Sequence, residues 1–256
     1  MRQDALKKII LAVLAITIIF LMSNVVSVFA QPQPNPTGNC LNLAGAATPC
    51  KPYIDIVSSD VSMSNGAYTG TITLAGTVPN SSATYLEWDI AIDADRNHNT
   101  NPVCAGIAGC TYAQSNLIFD GIGVDYLIVY NLWNNPCASS SAPCAFIYDG
   151  ANFNPLPLRA KVHGNTIQLF WKPGDIRGST FFDFVVLAGV YSDSGYYFSQ
   201  LLSFDKAPNV GHYEFQGGNV TAVPELTATP IVAFVLLIMS FGVLNYHKKL
   251  RRSKCL

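Results

Sequence analysis

The stretch from Tyr85 to Asp93 constrains the fold of this chain most, because apolar and polar side chains alternate along it. In an extended chain, one face carries Leu86, Trp88, Ile90 and Ile92, and the opposite face carries Glu87, Asp89, Ala91 and Asp93. Alternation with a period of two is typical of a β-strand that buries one of its faces. The stretch therefore predicts a strand whose apolar face lies in a core.

Turn signals divide most of the remaining body into short β segments. Asn65-Gly66 and His163-Gly164-Asn165 each separate segments rich in β-branched and aromatic residues, which is typical of hairpins. The strands predicted in this way cover 53–57, 68–78, 85–93, 123–130, 145–148, 158–162, 166–171, 181–191 and 196–203. About nine strands without helical periodicity predict an all-β fold, a single antiparallel β-sandwich of the jelly-roll kind.

The N-terminal residues indicate export. Arg2, Lys7 and Lys8 precede a long apolar run, and Val28-Phe29-Ala30 ends it with a small residue. A basic segment, an apolar segment and a small residue at the cleavage point are typical of a signal peptide, here an apolar helix over 1–30. The alternative is an N-terminal anchor that is not cleaved.

The C-terminal residues indicate a membrane segment. Residues 227–246 form an apolar stretch of the length that a transmembrane helix needs. The basic tail over 247–256 should stay in the cytoplasm, because basic residues flank membrane spans on that side. The body between the two apolar segments is therefore expected outside the cell, and the membrane is its first partner.

The residues around the C-terminal span resemble a family of sorting signals. Val223-Pro224-Glu225, one short apolar helix and a terminal basic cluster are similar to the PEP-CTERM class, including its archaeal variants. The resemblance implies that a sortase-like processing enzyme cuts near the motif and leaves the protein at the cell surface. Leu226 follows the motif where the named subclasses have other residues. A plain single-pass anchor is the alternative.

Charge is divided unevenly between the ends and the body. Residues 31–226 hold seven basic and fifteen acidic side chains, a net charge of −8, whereas the whole chain is −1. Nucleic-acid-binding proteins present basic surfaces, so an acidic body argues against a nucleic-acid partner. A negative surface instead favours cation binding or serves solubility.

Six of the seven cysteines lie in the body as three close pairs. Proximity along the chain pairs Cys40 with Cys50, Cys104 with Cys110, and Cys137 with Cys144. An even number of cysteines in an exported body is typical of disulfides. Zinc binding is the alternative, although the chain has no Cys-x-x-Cys.

A second resemblance covers residues 53–215. Ile92-Asp93-Ala94-Asp95-Arg96-Asn97, the strand start Gly123-Val124-Asp125-Tyr126 and the exit Asp205-Lys206-Ala207-Pro208 are similar to extracellular β-sandwich domains of the DOMON and family-nine-like carbohydrate-binding kinds. The resemblance implies a sandwich that binds a ligand. It does not determine which ligand, because one fold hosts many functions.

The loop that follows Asp93 has oxygen-bearing side chains at every second position. Asp93, Asp95, Asn97 and Asn99 match the start of an EF-hand, but His98 and Cys104 stand where that loop needs Gly and Glu. The residues therefore predict a structural calcium site of another kind. The expected ligands are Asp93, Asp95, Asn97, Asn99 and Asp125, with Asp120 as an alternative to the last. The alternative to calcium is an Asx-turn loop that binds its own backbone.

Four aromatic residues are candidates for binding a sugar. A glycan platform would consist of Tyr130, Trp133, Tyr148 and Trp171. Sugar rings stack on exposed aromatic faces, but tyrosine and tryptophan are also ordinary core residues of β-sandwiches.

Motifs of nucleophilic or metal-dependent hydrolysis are absent from the sequence. It has no His-Glu-x-x-His and no Gly-x-Ser-x-Gly, and its histidines are scattered. We therefore expect a non-enzymatic surface protein that acts in envelope structure, adhesion or ligand binding, with glycans or envelope proteins as partners. A displayed carbohydrate-binding module is the alternative, and an exported hydrolase is a third hypothesis.

These observations predict six segments. They are a signal peptide (1–30), a Pro/Gly-rich linker (31–51), an extracellular β-sandwich (52–216), a linker with the sorting motif (217–226), a transmembrane helix (227–246) and a cytoplasmic tail (247–256).

Overall fold

The structure is a computed structural model, and it describes residues 33–80, 82–99, 117–132, 144–150, 155–192 and 201–223. The chain divides into two compact units, Met1–Val223 and Pro224–Leu256, and every described residue belongs to the first. The predicted signal peptide, transmembrane helix and basic tail lie outside the described residues. Within the described residues, no helix is both long and apolar enough to cross a membrane.

The described residues form two antiparallel sheets. The first has five strands in the order β1-β2-β3-β9-β8. Its strands are β1 (Gln33–Pro34), β2 (Ile56–Ser64), β3 (Ala67–Leu74), β8 (Arg159–His163) and β9 (Thr166–Trp171). Asn65 and Gly66 both have positive φ, 52° and 73°, and close the β2–β3 hairpin as the Asn-Gly signal predicts.

The second sheet has eight strands. Seven follow the order β13-β12-β10-β4-β5-β6-β7, and β11 also pairs with β10. The strands are β4 (Tyr85–Asp93), β5 (Tyr126–Leu132), β6 (Ala145–Asp149), β7 (Pro155–Pro157), β10 (Phe181–Tyr191), β11 (Leu201–Ala207), β12 (His212–Gln216) and β13 (Asn219–Val223). A short 3₁₀ helix, Pro173–Ile176, connects β9 to β10.

The two sheets pack face to face through a mainly apolar core. Tyr68 of the first sheet stacks on Trp171 at 5.4 Å between ring centroids. The same ring meets Phe182 and Phe215 of the second sheet edge-on, at 5.6 and 5.4 Å. Gly70 permits this close approach, because a Cβ there would lie 2.9 Å from the Trp171 ring and would clash with Ile90. The predicted all-β sandwich is confirmed at this level.

β4 is buried on both faces, although its alternation predicted one buried face. All nine of its residues are buried. The face that carries Ala91 packs in a second apolar cluster, with β10 and with residues of the segment 117–124 such as Phe119 and Val124. A central strand with layers on both sides can therefore carry acidic residues on a covered face.

The sandwich extends beyond its predicted boundaries at both ends. In the predicted linker 31–51, Asn35 is buried and its side-chain amide donates to Ile56 O at 3.0 Å and to Lys206 O at 3.2 Å. At the other end the sheet continues through β13, whose Val220 is fully buried. The described body therefore runs from Gln33 to Val223 rather than from 52 to 216.

One of the three predicted disulfides is confirmed. Cys40 and Cys50 are bonded, with their Cα atoms 5.1 Å apart, and they clip the segment that precedes β2. Cys104, Cys110 and Cys137 lie outside the described residues, and Cys144 immediately precedes β6. The pairings Cys104–Cys110 and Cys137–Cys144 therefore stay predictions.

Candidate metal centre

A row of acidic side chains crosses the eight-stranded sheet at the end of β4. The strand register pairs Asp93 on β4 with Asp183 on β10, and Asp183 with Glu214 on β12. Directly paired residues point to the same face of a sheet, so the three carboxylates lie side by side. Asp125, immediately before β5, extends the row on the other side of Asp93. Like charges opposite one another destabilise a sheet, so this row needs compensating positive charge.

Arg96 compensates two members of the row. The loop after β4 turns back at Arg96, whose φ of 56° lies in the left-handed region. Its Nε donates to Asp183 Oδ1 at 3.0 Å, and its Nη2 forms an ion pair with Glu214. The guanidinium also lies 4.0 Å above the ring of Phe181. The arginine is therefore fixed on three sides.

Two imidazoles approach the other oxygen of Asp183. His98 Nε2 lies 2.9 Å from Asp183 Oδ2, and His212 Nε2 lies 3.7 Å from the same atom. The two rings meet edge-on, 5.3 Å apart between centroids. Burial lowers the pKa of His212 and the charge of Asp183 opposes that shift. The side chain of Asp183 is fully buried, so this carboxylate depends on the protein for its partners.

Asp93 is held by the backbone on both of its oxygens. Its Oδ1 accepts from Asn97 N at 3.2 Å and its Oδ2 from Gly123 N at 3.1 Å. Burial raises the pKa of Asp93 to about 7, and the charges of Asp125 and Asp183 add to the rise, against the Gly123 hydrogen bond. The negative charges of Asp125 and Asp183 therefore disfavour the ionised form of Asp93.

The structure brings three of the five predicted calcium ligands together. Oxygens of Asp93, Asp95 and Asp125 lie within 4.8 Å of one another. Asp125 Oδ2 accepts from Ala94 N at 2.9 Å and from Asp95 N at 3.2 Å, which holds the loop against β5. Burial, followed by the charge of Asp95, raises the pKa of Asp125, and hydrogen bonds to the backbone oppose the rise.

The two predicted asparagine ligands take part in turns of the loop. Asn97 N donates to Asp95 Oδ1 at 2.8 Å, and Asn97 Oδ1 accepts from Asn99 N at 3.3 Å. These are the hydrogen bonds of the alternative interpretation, in which the loop binds its own backbone. The third candidate, Asp120, is placed elsewhere, because its Oδ1 accepts from Lys206 Nζ at 2.5 Å.

The predicted aromatic platform is not assembled in the described residues. Trp171 is 2% exposed in the core between the sheets, and Tyr130 is 8% exposed beside Trp88. Tyr148 is half-buried on β6, and Trp133 lies outside the described residues. The assignment of Trp171 and Tyr130 to a sugar-binding surface is corrected here, since a core ring has no open face to offer.

A second acidic pair lies within the sandwich, on the covered face of β4. Glu87 and Asp89 are 5% and 3% exposed. Glu87 accepts from Tyr85 Oη at 2.6 Å and from Tyr191 Oη at 3.4 Å. Burial raises the pKa of Asp89 well above its usual range, and the charge of Glu87 adds to this. Burial also raises the pKa of Glu87, against the hydrogen bond from Tyr85, so the pKa values of both carboxyl groups of the pair are raised.

A third buried acid ties the N-terminal segment to β11. Asp205 Oδ2 accepts from Ile56 N at 2.7 Å, and its Oδ1 accepts from Lys206 N at 2.9 Å. Burial raises the pKa of Asp205 to about 7, against both hydrogen bonds. Asp55 and Cys50 lie close by, but Cys50 is in the disulfide and offers no thiolate for a metal.

Sequence reasoning did not find four of the residues at this centre. Asp183, Glu214 and His212 come from strands far along the chain from Asp93, and Arg96 was an unremarked loop residue. The only signal for His98 was its position inside the acidic loop.

A protein-family scan and a search of curated proteins found no match to the chain.

The predicted sorting motif begins where the described body ends. Val223 is the last residue of β13 and pairs with His212. Pro224 and Glu225 lie outside the described residues.

Proposed function

We propose that this chain is an exported, non-enzymatic β-sandwich protein displayed at the cell surface, with a calcium ion bound at its rim by Asp93, Asp95 and Asp125. It acts there in envelope structure, adhesion or ligand binding. The observation that carries the proposal is the convergence of these three carboxylates, within 4.8 Å of one another, at the end of the central strand.

The spacing of the carboxylates suits calcium. Calcium binds oxygens at about 2.3–2.6 Å, so two ligands on opposite sides of one ion lie up to about 5 Å apart. The three oxygens lie within 4.8 Å of one another, which is inside that range. Asp95 is exposed and Asp125 is half-buried, which leaves room for water among the ligands. A bound cation would also offset the repulsion along the acidic row.

Display outside the cell is supported by the sequence at both ends of the body. The signal-like segment 1–30 and the apolar segment 227–246 bracket a body of net charge −8 with a disulfide at Cys40–Cys50. Disulfides persist in oxidising compartments, so the bond supports export. The proposal also includes a cleaved signal peptide, a C-terminal transmembrane helix, processing by a sortase-like enzyme, and a jelly-roll arrangement of the sandwich.

The non-enzymatic part rests on where the acids lie. Glu87 and Asp89 form the pair most similar to a general acid and base, and both are almost fully buried. A catalytic acid must reach its substrate within hydrogen-bond distance, which a covered pair does not. At the rim, Arg96 and two imidazoles surround Asp183.

The carbohydrate-binding alternative has less support, because two of its four aromatic residues are in the core.

Calcium titration of the purified full-length protein tests the rim site. Calcium should raise the Tm of the wild type and a chelator should lower it, because a ligand that binds only the folded state stabilises that state. A gain of about 1 kcal/mol in a domain of this size corresponds to about 2–4 °C. Asp125→Asn should abolish the shift. Asp60→Asn, a half-buried acid of β2, is the matched control and should retain it.

Two results would overturn the calcium site. One is a wild-type Tm that responds neither to calcium nor to chelator. The other is a shift of the same size in the wild type and in Asp125→Asn, which would place the ion elsewhere.

Mass spectrometry of the protein from its own cells tests the display part. Sorting predicts a mature chain that begins near Gln31 and has lost the residues after about Glu225. A plain anchor predicts the same start with the C-terminal residues retained. A chain recovered from the cytoplasm with residues 1–30 attached would contradict export.

A further inference from the structure

Three side chains of the kinds that bind metals converge beside the candidate calcium site. They differ from the carboxylates of that site in chemistry. His98 comes from the loop after β4, Asp183 from β10 and His212 from β12. Ligand atoms of the three residues lie within 4.8 Å of one another. Asp93 Oδ2 adds a fourth atom, 3.7 Å from His98 Nε2. Two imidazole nitrogens and one carboxylate oxygen therefore lie close together at the rim, with the Asp93 oxygen next to His98.

We propose that His98, Asp183 and His212 bind a late first-row transition metal of the Zn²⁺ type, with Asp93 as a fourth ligand. Imidazole nitrogen and carboxylate oxygen are ordinary zinc ligands, whereas calcium prefers oxygen alone. The site goes beyond the calcium proposal and does not depend on it, since two of its ligands are imidazoles that calcium does not use.

The separations between the ligand atoms match those around a zinc ion. Zinc binds nitrogen and oxygen at about 2.0–2.1 Å, so neighbouring ligands of a tetrahedral site lie about 3.3 Å apart. The measured separations are 2.9 Å from His98 Nε2 to Asp183 Oδ2 and 3.7 Å from His212 Nε2 to the same oxygen. The distance from His98 Nε2 to Asp93 Oδ2 is also 3.7 Å. All three values lie within about half an ångström of the tetrahedral value.

The surroundings orient Asp183 as they would a metal ligand. Arg96 Nε donates to Asp183 Oδ1, which turns Oδ2 toward the two imidazoles. Hydrogen bonds from neighbouring residues hold a metal ligand in its orientation and strengthen metal binding. The side chain of Asp183 is fully buried and that of His212 is 13% exposed, whereas that of His98 is 46% exposed. A metal can therefore reach the site from the side of His98.

A plain ion-pair cluster is the competing explanation. Protonated imidazoles beside a carboxylate give the same contacts without a metal. The two explanations differ in their response to zinc, because protonated histidines repel a cation and neutral ones bind it.

Zinc titration by calorimetry tests the site, on the full-length protein with Cys255→Ser, which removes the cysteine outside the three predicted pairs. We expect one zinc ion per chain. His98→Ala and His212→Ala should each weaken zinc binding by at least about tenfold, the smaller loss known for disturbed metal sites. His163→Ala, in the exposed β8–β9 hairpin, is the matched control and should bind zinc as the parent does.

Cobalt spectroscopy provides a second readout. Co²⁺ in a tetrahedral nitrogen and oxygen site gives visible d–d absorption, which should be present in the parent and lost in both rim histidine variants. Circular dichroism checks that the variants fold. His98→Ala is the variant that keeps the test decisive if His212→Ala does not fold, because His98 is half exposed.

Zinc affinity that is equal in the parent and in His98→Ala would overturn the proposal, and so would the absence of zinc binding. Asp125→Asn should leave zinc binding intact while it abolishes the calcium response. A parent protein that binds zinc but does not respond to calcium therefore contradicts only the proposed calcium site, and a parent that responds to calcium but does not bind zinc contradicts only this one.

Discussion

Buried carboxylates are stabilised in three different ways in this molecule, residue by residue. Asp183 has Arg96 as an ionic partner. Asp205 has no cationic partner in the part of the chain that the structure describes, and it accepts backbone N–H groups instead. Asp89 has a pKa that burial raises well above its ordinary value, and the charge of Glu87 adds to the rise. Burial raises the pKa of Asp205 and of Asp89, and a group whose pKa is shifted in the fold changes its protonation on unfolding.

Asp205 predicts a loss of stability as the pH rises. Its folded pKa is raised to about 7 from an ordinary value of 3.8. Above pH 4 the unfolded chain therefore releases a proton that the folded chain keeps, so unfolding becomes easier until the pH passes about 7. The stabilising contribution is full below pH 4 and is lost toward pH 7. One such group accounts for at most about 1.4 kcal/mol per pH unit.

Urea unfolding of the wild type and of Asp205→Asn at pH 4.5, 5.5, 6.5 and 7.5 measures this contribution. The variant cannot ionise, so its free energy of unfolding should fall less steeply over that range. Asp175→Asn, in the 3₁₀ helix, is the control and should follow the wild type. Parallel curves for the wild type and Asp205→Asn would show that Asp205 has an ordinary pKa in the fold.

At the scale of elements, strands with strong local patterns could be predicted and their partners could not. β4, β9 and β10 have the predicted bounds, because alternation and turn residues are local signals. β2 begins at Ile56 instead of residue 53, because Ile54 N and Asp55 N donate to Lys51 O in a turn. β12 and β13 were missed, since the predicted core ended before them.

The same distinction applies to the candidate centre. Asp93 and Asp95 could be predicted because their spacing in the acidic loop is visible along the chain, and Asp125 was predicted to complete the site from the next strand. Asp183 and His212 join them only through the pairing of β4 with β10 and of β10 with β12. Strand pairing between distant segments has no local signal in one sequence. The polar residues Glu87 and Asp89 were placed on an open face for a similar reason, since a covering layer is not visible in the strand it covers.

Gly70 on β3 tests the packing between the two sheets. A Cβ at this position would meet Ile90 and the Trp171 ring, which Tyr68 holds by stacking. Gly70→Ala should therefore lower the free energy of unfolding by about 1–3 kcal/mol, as overpacked cores do. Chemical denaturation measures this loss. Gly174→Ala is the matched control, because a Cβ there meets nothing within 4 Å and should change stability by less than about 0.5 kcal/mol.

Equal stabilities of Gly70→Ala and Gly174→Ala would mean that the sheets lie farther apart at this point than the structure has them. A loss in both variants would instead indicate a general cost of replacing glycine in this chain.

For the whole molecule, the end of the sandwich and the start of the sorting motif coincide. β13 pairs with β12 from Gln216 opposite Asn219 to His212 opposite Val223. The last strand therefore supports the strand that carries His212 and Glu214. Processing after about Glu225 would leave this strand complete. Processing there would therefore leave the residues of both candidate metal sites in the displayed body.

Two truncated proteins test where the folded body ends. A chain that stops after Val223 keeps β13, whereas one that stops after Gln216 loses it and uncovers the partners of Val220. Burial of one valine side chain contributes about 1.5–3 kcal/mol, and the β12–β13 hydrogen bonds are lost as well. The shorter chain should therefore unfold at lower urea concentration. It should also lose zinc binding, because β13 no longer supports the strand that carries His212. If both chains unfold at the same urea concentration, the body ends at 216 and β13 is dispensable.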